Sequence, residues 1–503
     1  MLEIELKLQV PEAAHAAVEA AVAGRSPSTR LRLRLQAAYF DTSDRRLATA
    51  GLALRLRREG RQWVQTLKGS LADGISRHEH NVVRGAAAVM PSIEPQLHSG
   101  RAVGERLQAL LADEVYAPLA VVYRTDIRRR TRVLAVRVPG QPQARVELAF
   151  DLGSITADGA SIAVCELEIE LLSGTPDAVI TTARRWIARH GLWLDARSKS
   201  ERGDLLARGE RIAPPTHAGQ APILDPTMSA ADAWRVVLRD CAAQVIGNAS
   251  QIASGEHLDA HVHQLRVGLR RLRSAAALFE GVADAALGAA AAQLFRRLGA
   301  LRDQAAIAAA FGADLRAAQL QAGLLDAPPT PPPANLESAA EVLRDSTSQA
   351  LLLDLLVAMQ RDVGEVAFDA EPPLRKGLAA RLNRWHRQVL ADAARHDELD
   401  DESRHRLRKR AKRLRYAAEF AAPLFERRAV RRYLKQLRAL QERLGAISDV
   451  VTAMHAFAPR AAAEPRAMFA LGWFTARREL LIARAHPELA AFAEVDRFWK
   501  KRG

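Results

Sequence analysis

Glu3, Glu5 and Lys7 interleave with Leu2, Ile4, Leu6 and Leu8 at the start of the chain. Successive side chains on a strand point to opposite faces, so this segment makes a strand with one charged face and one apolar face. The pattern returns at Glu166, Glu168 and Glu170, separated by Leu167 and Ile169. Between them lie strand-like runs with cations on one face: Arg55 and Arg57 in LALRLR, and Lys68 at the end of VQTLK. Charges at this density repel one another unless counter-ions lie between them. Either the face is a solvated mixture of signs, or it is a concave wall for divalent metal and a polyanion. Many alternating strands also need their edges hidden, and an antiparallel barrel achieves that by closure.

A chain of 503 residues holds more than one domain, because single cores stop growing well below that length. The net charge is +15 and the isoelectric point about 10.4, which calls for a polyanionic partner. Two cysteines, Cys165 and Cys241, fit a reducing compartment without structural disulfides. No uncharged apolar run reaches the ~20 residues a membrane span requires, and the chain opens on a charged strand instead of a signal region. A cytoplasmic location follows as the expectation.

Residues 1–208 read as strands with short helices at about 11–23, 101–112 and 175–190. Residues 209–227, rich in Pro, Ala and Gly without a period, read as a linker. Residues 228–495 are helical text, broken by DAPPTPPPAN at 326–335 into repeats of about 228–325 and 336–495. The expected fold is therefore α+β and multidomain, with an all-α second half made of two antiparallel helical bundles. Cutting the linker is expected to cost either part little.

The two helical halves match in sequence. His263, Arg266, Arg270 and Arg273 recur as His405, Arg408, Lys412 and Arg415, and RLGALRDQ (297–304) recurs as RLGAISDV (443–450). At about 100° per residue each set makes one narrow stripe. From Arg404 to Arg415 there is no acidic residue to neutralise it. Arginine presents a planar fork to phosphate, lysine a point charge and histidine a directional donor. A stripe repeated at identical spacing therefore reads as a phosphate track and not as a plain solvated face. Asp303 and Asp449 read as residues that orient the arginines, and Gly299 and Gly445 as allowing close helix packing. Histidines near their ordinary pKa of about 6.5 would tighten binding as pH falls from about 8 to 6. His78 and His80 read as ordinary strand residues, and Trp63, Trp186 and Trp193 as packing. No Walker loop and no GxGxxG opens a helix, so ordinary nucleotide folds are disfavoured. The chain has the charge for nucleic acid but lacks interleaved aromatics for base stacking.

The opening Glu3-x-Glu5-x-Lys7, YFDT (39–42), GLALRLR (51–57), QTLK (65–68), RVELAFDLG (145–153), ELEIELLSG (166–174) and SKSERG (198–203) resemble the CYTH family of triphosphate tunnel metalloenzymes. Residues from about 228 to 490 resemble a CHAD domain through the two His/Arg/Lys repeats. The first resemblance implies an eight-stranded antiparallel tunnel that binds triphosphate and Mg or Mn. It places metal binding on Glu3, Glu5, Asp151, Glu166, Glu168 and Glu170. It places triphosphate binding on Lys7, Arg55, Arg57, Lys68, Arg128 and Lys199, with Glu5 and Lys7 acting in catalysis. The second implies binding of inorganic polyphosphate by His263, Arg266, Arg270, Arg273, His405, Arg408, Lys412, Arg413 and Arg415. The arrangement is similar to that of bacterial inorganic triphosphatases. It implies a metal-dependent hydrolase of inorganic triphosphate or polyphosphate ends, in the cytoplasm and on polyphosphate granules. The competing readings are a non-catalytic polyphosphate-binding protein and a tunnel enzyme acting on an organic triphosphate.

Overall fold

The computed structural model describes residues 2–24, 30–71, 75–112, 118–219, 222–300, 303–323, 337–360 and 373–500. The Pro-rich break at 326–335 and the side chain of Asp303 lie outside the described residues.

The N-terminal strands are β1 (Leu2–Gln9), β2 (Arg30–Asp41), β3 (Leu52–Glu59), β4 (Gln62–Ser70), β5 (Ser76–Ala86), β6 (Ala120–Val136), β7 (Ala144–Ala157) and β8 (Ala160–Ser173). They pair antiparallel in the order β5-β4-β3-β2-β6-β7-β8-β1, and β1 returns to β5 to close an eight-stranded barrel. A two-residue strand, β9 (Trp193–Leu194), adds to β1. The closing strand is shared: Leu2 to Ile4 pair with His78 to Ser76, while Glu5 to Gln9 pair with Glu170 to Glu166.

The alternation puts the apolar face of this barrel outward and its charged face inward. Leu8, Leu54, Leu56, Leu67, Leu148, Leu167 and Ile169 are each 0% exposed on the outside. Helices cover that face: α1 (His15–Ala23), α2 (Arg46–Thr49), α3 (Ala102–Leu111) and α4 (Asp177–His190). Val103, Leu107 and Leu111 of α3 form one core with Leu52, Leu54 and Leu67, and α4 packs on β1, β7 and β8. Each fully buried leucine contributes about 1.5–3 kcal/mol.

Helix α5 (Lys199–Ala207) starts at a capping box: Ser198 Oγ accepts from the Glu201 N–H (3.1 Å), and Glu201 accepts from the Ser198 N–H (2.6 Å). It packs on β6, β7 and β8. Gly203 permits this, because a Cβ there would lie 2.4 Å from the Tyr123 ring.

The helical elements that follow are α6 (Ala230–Ala253), α7 (Asp259–Leu278), α8 (Ala285–Ala300), α9 (Asp303–Gln321), α10 (Ala339–Arg344), α11 (Ser346–Gln360), α12 (Leu374–Ala393), α13 (Asp401–Ala421), α14 (Arg427–Phe457), α15 (Pro465–Ala483) and α16 (His486–Ala493). The described residues of Met1–His217, Ala242–Leu265 and Ala339–Asp362 form one compact unit. Within it the Leu194 N–H donates to Gln349 Oε1 (2.7 Å), the Ala196 N–H to Ser250 Oγ (3.0 Å), and Arg344 stacks on Trp193. Those of Ala218–Cys241, Arg266–Ser338 and Val363–Gly503 form a second unit. One of its cores joins Ile307, Phe311 and Leu315 of α9 to Val450 and Phe457 of α14 and Phe474 of α15.

Gly203→Ala should lower the stability of the tunnel unit by about 1–3 kcal/mol, the ordinary cost of overpacking. Thermal unfolding measures it. An unchanged midpoint would mean that α5 shifts freely and is not seated by the Tyr123 contact.

Candidate functional site

The inward side chains enclose a cavity of about 310 Å³ with walls of opposite character. Arg55 and Arg57 of β3 and Lys68 of β4 line one part, while Glu3 and Glu5 of β1, Glu147 and Asp151 of β7, and Glu168 and Glu170 of β8 line another. The cationic wall is crowded. Burial and the neighbouring Arg77 and Arg55 push the Lys68 ammonium down, and burial with Arg55 does the same to Arg57. Arg55 Nη1 donates to Tyr39 Oη (3.2 Å), and the Tyr39 ring stacks on Tyr123 with centroids 4.6 Å apart. Through Tyr123 and Gly203, α5 and the cationic wall are packed as one piece.

The six acids assigned to metal by sequence separate into two trios, Glu3/Glu5/Glu170 and Asp151/Glu166/Glu168, with ligand oxygens in each lying within 4.8 Å of one another. The second trio is already filled by the protein's own cations. Lys199 Nζ lies 2.6 Å from Asp151 and 2.8 Å from Glu168 and also contacts Glu166. Arg129 holds Asp151 with two bonds of 2.7 Å and reaches Glu168, while Arg202 pairs with Glu166. Burial pushes Glu168 up, but Arg129 and Lys199 outweigh it and hold the carboxyl well below the usual range.

The first trio is less complete. Arg77 donates to both oxygens of Glu3 (2.7 and 3.0 Å) and pairs with Glu5, and Lys7 lies 2.8 Å from Glu5. Glu170 is pushed up to about 7 by burial and by Glu3, Glu5 and Glu147. A carboxyl raised by burial and by like neighbours is one that a further cation would favour. Three oxygen donors suit a hard divalent ion. The residues present therefore fit a metal at Glu3, Glu5 and Glu170.

The structure brings together Glu3, Glu5, Lys7, Arg55, Arg57, Lys68, Asp151, Glu168, Glu170 and Lys199 along one cavity. Glu166 lies fully buried behind Lys199. Arg128 is placed differently from the sequence expectation: it is exposed on the outside of the barrel, opposite Arg34 across β2 and β6. Arg129 points inward in its place, between Ile127 and Thr131. Alternation from Tyr123, Thr125 and Ile127 carries that phase, whereas the run of arginines hides it. Arg77 and Glu79 also line the cavity, on the face of β5 opposite His78 and His80. His80 instead meets the fully buried His98, Nδ1 to Nδ1 at 2.9 Å.

In the helical unit the duplicated motif gives duplicated contacts. Arg266 of α7 lies over Gly299 of α8 and donates to the Leu298 (3.1 Å) and Gly299 (3.3 Å) carbonyls. Arg408 of α13 lies over Gly445 of α14 and reaches Asp449 (3.4 Å). A Cβ at either glycine would meet its arginine at an ordinary contact distance, 3.7 Å at Gly299 and 3.8 Å at Gly445, so neither contact demands glycine. Arg266, Arg270 and Arg273 surround the Phe295 ring, with centroid distances of 4.7, 5.5 and 6.0 Å. In the second repeat Gln441 takes the place of Phe295 and accepts from Arg415 (2.8 Å). Burial, Arg408 and Arg270 push Lys412 down to about 7, so cations of both repeats act on one position. Burial with Lys409, Arg408 and Lys412 pushes His405 down to about 4, and its Nδ1 contacts Ser448 Oγ (3.1 Å). Arg413 lies off the stripe, stacked on Trp385 and donating to Gln388 (3.1 Å), where its surroundings are those of a packing residue.

Fold and site thus define a closed antiparallel tunnel with acidic and cationic walls, joined to a helical domain with an internally repeated basic stripe. Residues 1–203 match the CYTH domain and residues 236–458 match the CHAD domain, so the chain is a CYTH domain followed by a CHAD domain. The inorganic triphosphatase of Haemophilus influenzae is 27% identical over 209 residues, 41% of this chain and 54% of that protein, so the match spans about half the length of that relative. The CHAD domain from the plant Ricinus communis is 29% identical with a TM-score of 0.45, covering 55% of this chain and 97% of that one. A Hippeastrum protein described as having dominant triphosphatase activity is 18% identical with a TM-score of 0.28, covering 41% of this chain and 96% of that one.

Removing the ammonium with Lys199→Met should destabilise the tunnel unit by about 3–5 kcal/mol near neutral pH, because it strips buried carboxylates of a partner. Glu168, which Arg129 and Lys199 hold well below the usual range, then rises. The deficit is therefore largest at pH 7.5 and shrinks as pH falls and this carboxyl takes up a proton. Urea unfolding of both proteins at pH 7.5 and 5 checks this, and an equal deficit at both values would overturn it.

Proposed function

We propose that the tunnel is a metal-dependent hydrolase of inorganic triphosphate or of polyphosphate ends. The observation that carries this is the meeting, in one cavity, of the cations Arg55, Arg57 and Lys68 with the Glu3/Glu5/Glu170 trio, Lys68 Nζ lying 3.4 Å from Glu3. Arg55, Arg57 and Lys68 neutralise and orient the phosphates, and Lys7 and Arg77 hold Glu5 in place for the cation. A bound Mg²⁺ or Mn²⁺ supplies charge neutralisation of the anhydride oxygens and a more acidic water. Phosphoanhydride cleavage needs little beyond such positioning and neutralisation. Arg129 and Lys199 pair with the second acidic trio and hold it in place beside the site.

The functional division that goes with this reading is 1–208 for the tunnel, 209–227 for the linker and 228–495 for the helical domain, which binds inorganic polyphosphate. Support for the latter is the stripe of Arg266, Arg270, Arg273, His405, Arg408, Lys412 and Arg415, where burial together with Arg408 and Arg270 depresses Lys412. Among the described residues no helix is long and apolar enough to cross a membrane. We place the protein in the cytoplasm and on polyphosphate granules.

Phosphate release from triphosphate, ATP and long-chain polyphosphate, with and without Mg²⁺ or Mn²⁺, tests the first part. Release from triphosphate should be metal-dependent and abolished by the nearly isosteric Glu5→Gln. A fully active Glu5→Gln protein would remove the hydrolase reading, and preference for ATP would make the substrate organic.

On α13 burial and neighbouring cations push Lys412 down to about 7 and His405 down to about 4, so of these two Lys412 is the one that titrates near neutral pH. An anion at Lys412 raises its pKa. Polyphosphate affinity should therefore increase as pH falls from 8 to 6, through the free-state value of about 7. Lys412→Met should flatten that dependence and His405→Gln should leave it. The reverse outcome, read by binding titrations at several pH values, would return the effect to the histidine.

A further inference from the structure

The first three turns of α14 carry a second basic face. Arg427, Arg428, Arg431, Arg432, Lys435 and Arg438 are all exposed, while Val430, Tyr433, Leu434 and Leu437 between them are buried. No acidic residue occurs from Arg427 to Gln441. Arg438 pairs with Glu419 at 3.1 Å, and among the described residues the other five have no carboxylate within ion-pair distance. Arg427 and Arg428 sit in the first helical turn, where the positive end of the helix dipole disfavours cations.

The internal repeat supplies the control. Aligning RLGA 297–300 with RLGA 443–446 puts Ala285, Ala286, Ala289 and Ala292 of α8 at the places of Arg431, Arg432, Lys435 and Arg438. The buried positions correspond as well: Leu287 to Tyr433, Ala291 to Leu437, Leu294 to Leu440 and Leu298 to Leu444. The fold therefore builds this helix without cations at these four places. The cations of α14 belong to something other than folding.

Three observations identify the occupant. The face is continuous with the stripe on α13, because Arg415 (2.7 Å) and Arg438 (3.1 Å) share one oxygen of Glu419. Counting about 100° per residue, Arg427, Arg431 and Arg438 lie within about 40° of the direction of Gly445, the residue beneath Arg408. The exposed face also has no aromatic ring for base stacking and no apolar residue for a lipid surface. Glu494 and Asp496 share a shallow cleft with Arg432 and Lys435, so the open part of the face is Arg427, Arg428, Arg431 and Arg438.

We propose that the N-terminal turns of α14 extend the track of α13, so that one inorganic polyphosphate chain runs from His405 past Arg438 to Arg427 and the helical domain selects long chains over short ones. This rests on the reading of the α13 stripe as a polyphosphate site. From Arg438 to Arg427 the extension adds about 16 Å of helix.

The test uses the full chain with Arg427, Arg428 and Arg431 all changed to Ala, beside an Arg408→Ala/Lys412→Ala variant. Binding of a polyphosphate of a few units and of one of many tens of units is titrated over salt concentration. The Arg427/Arg428/Arg431 variant should bind the long chain about tenfold more weakly at low salt, with the log–log salt slope shallower by about 2, the value for three lost single-strand contacts. Its short-chain affinity should stay within about twofold, whereas the Arg408/Lys412 variant loses both lengths. Its thermal midpoint should not fall, since the change removes cations from a helix N-terminus. Unchanged long-chain affinity, or equal loss for both lengths, would overturn the extension. A variant that keeps polyphosphate but loses a single-stranded DNA oligonucleotide would overturn it in favour of nucleic acid. A parent and an Arg408/Lys412 variant that bind both lengths alike would overturn the α13 reading, and the extension with it.

Discussion

Closure of a barrel whose polar faces point inward is the constraint on which the rest of the tunnel depends. Once the leucines of β1, β3, β4, β7 and β8 turn outward beneath helices, every second residue of those strands faces its opposite number across a narrow space. A lone carboxylate there would cost several kcal/mol in desolvation. The chain meets that cost by interleaving signs, so that Lys199 and Arg129 sit among Asp151, Glu166 and Glu168, and Arg77 sits between Glu3 and Glu5. Glu170, and beside it Glu147, are the cavity carboxyls that burial and like neighbours push up, and they mark where the protein's own cations stop.

Much of this was legible in the sequence, and for one reason. A two-residue period survives in the text wherever strands carry consistent side-chain classes, so β1, β3 and β8 and their inward residues could be read directly. Legibility fails where both faces hold the same class. In β6 the run Arg128 to Arg130 hides the alternation, and the phase has to be carried in from Tyr123, Thr125 and Ile127 to turn Arg129 inward and Arg128 outward. β5 is polar on both faces, so its text does not tell Arg77 and Glu79, which line the cavity, from His78 and His80, which do not. The depression of His405 and Lys412 depends on burial and on neighbours from other helices, which no local spacing encodes.

The helical half shows how duplication can be read against itself. Where both copies keep a residue, as with the arginine over its glycine, the contact belongs to the shared architecture. Where one copy has Phe295 and the other Gln441, the arginines change from lying against a ring to donating to an amide oxygen. Differences of that kind locate specialisation within one chain, without any second protein for comparison.

The split pairing of β1 has a mechanical consequence. Among the described residues three register pairs join β1 to β5, the Glu5 N–H donates on to the Ile75 carbonyl (3.0 Å), and from Glu5 onward β1 pairs with β8. Glu3 and Glu5 stand on either side of that changeover, Arg77 reaches them from β5, and Glu170 faces Glu5 from β8. An ion held by these acids would act as a rivet across the narrowest seam of the cylinder. Loading the tunnel and locking its circumference are then a single event, and fraying of β1 is the route by which both would be lost together.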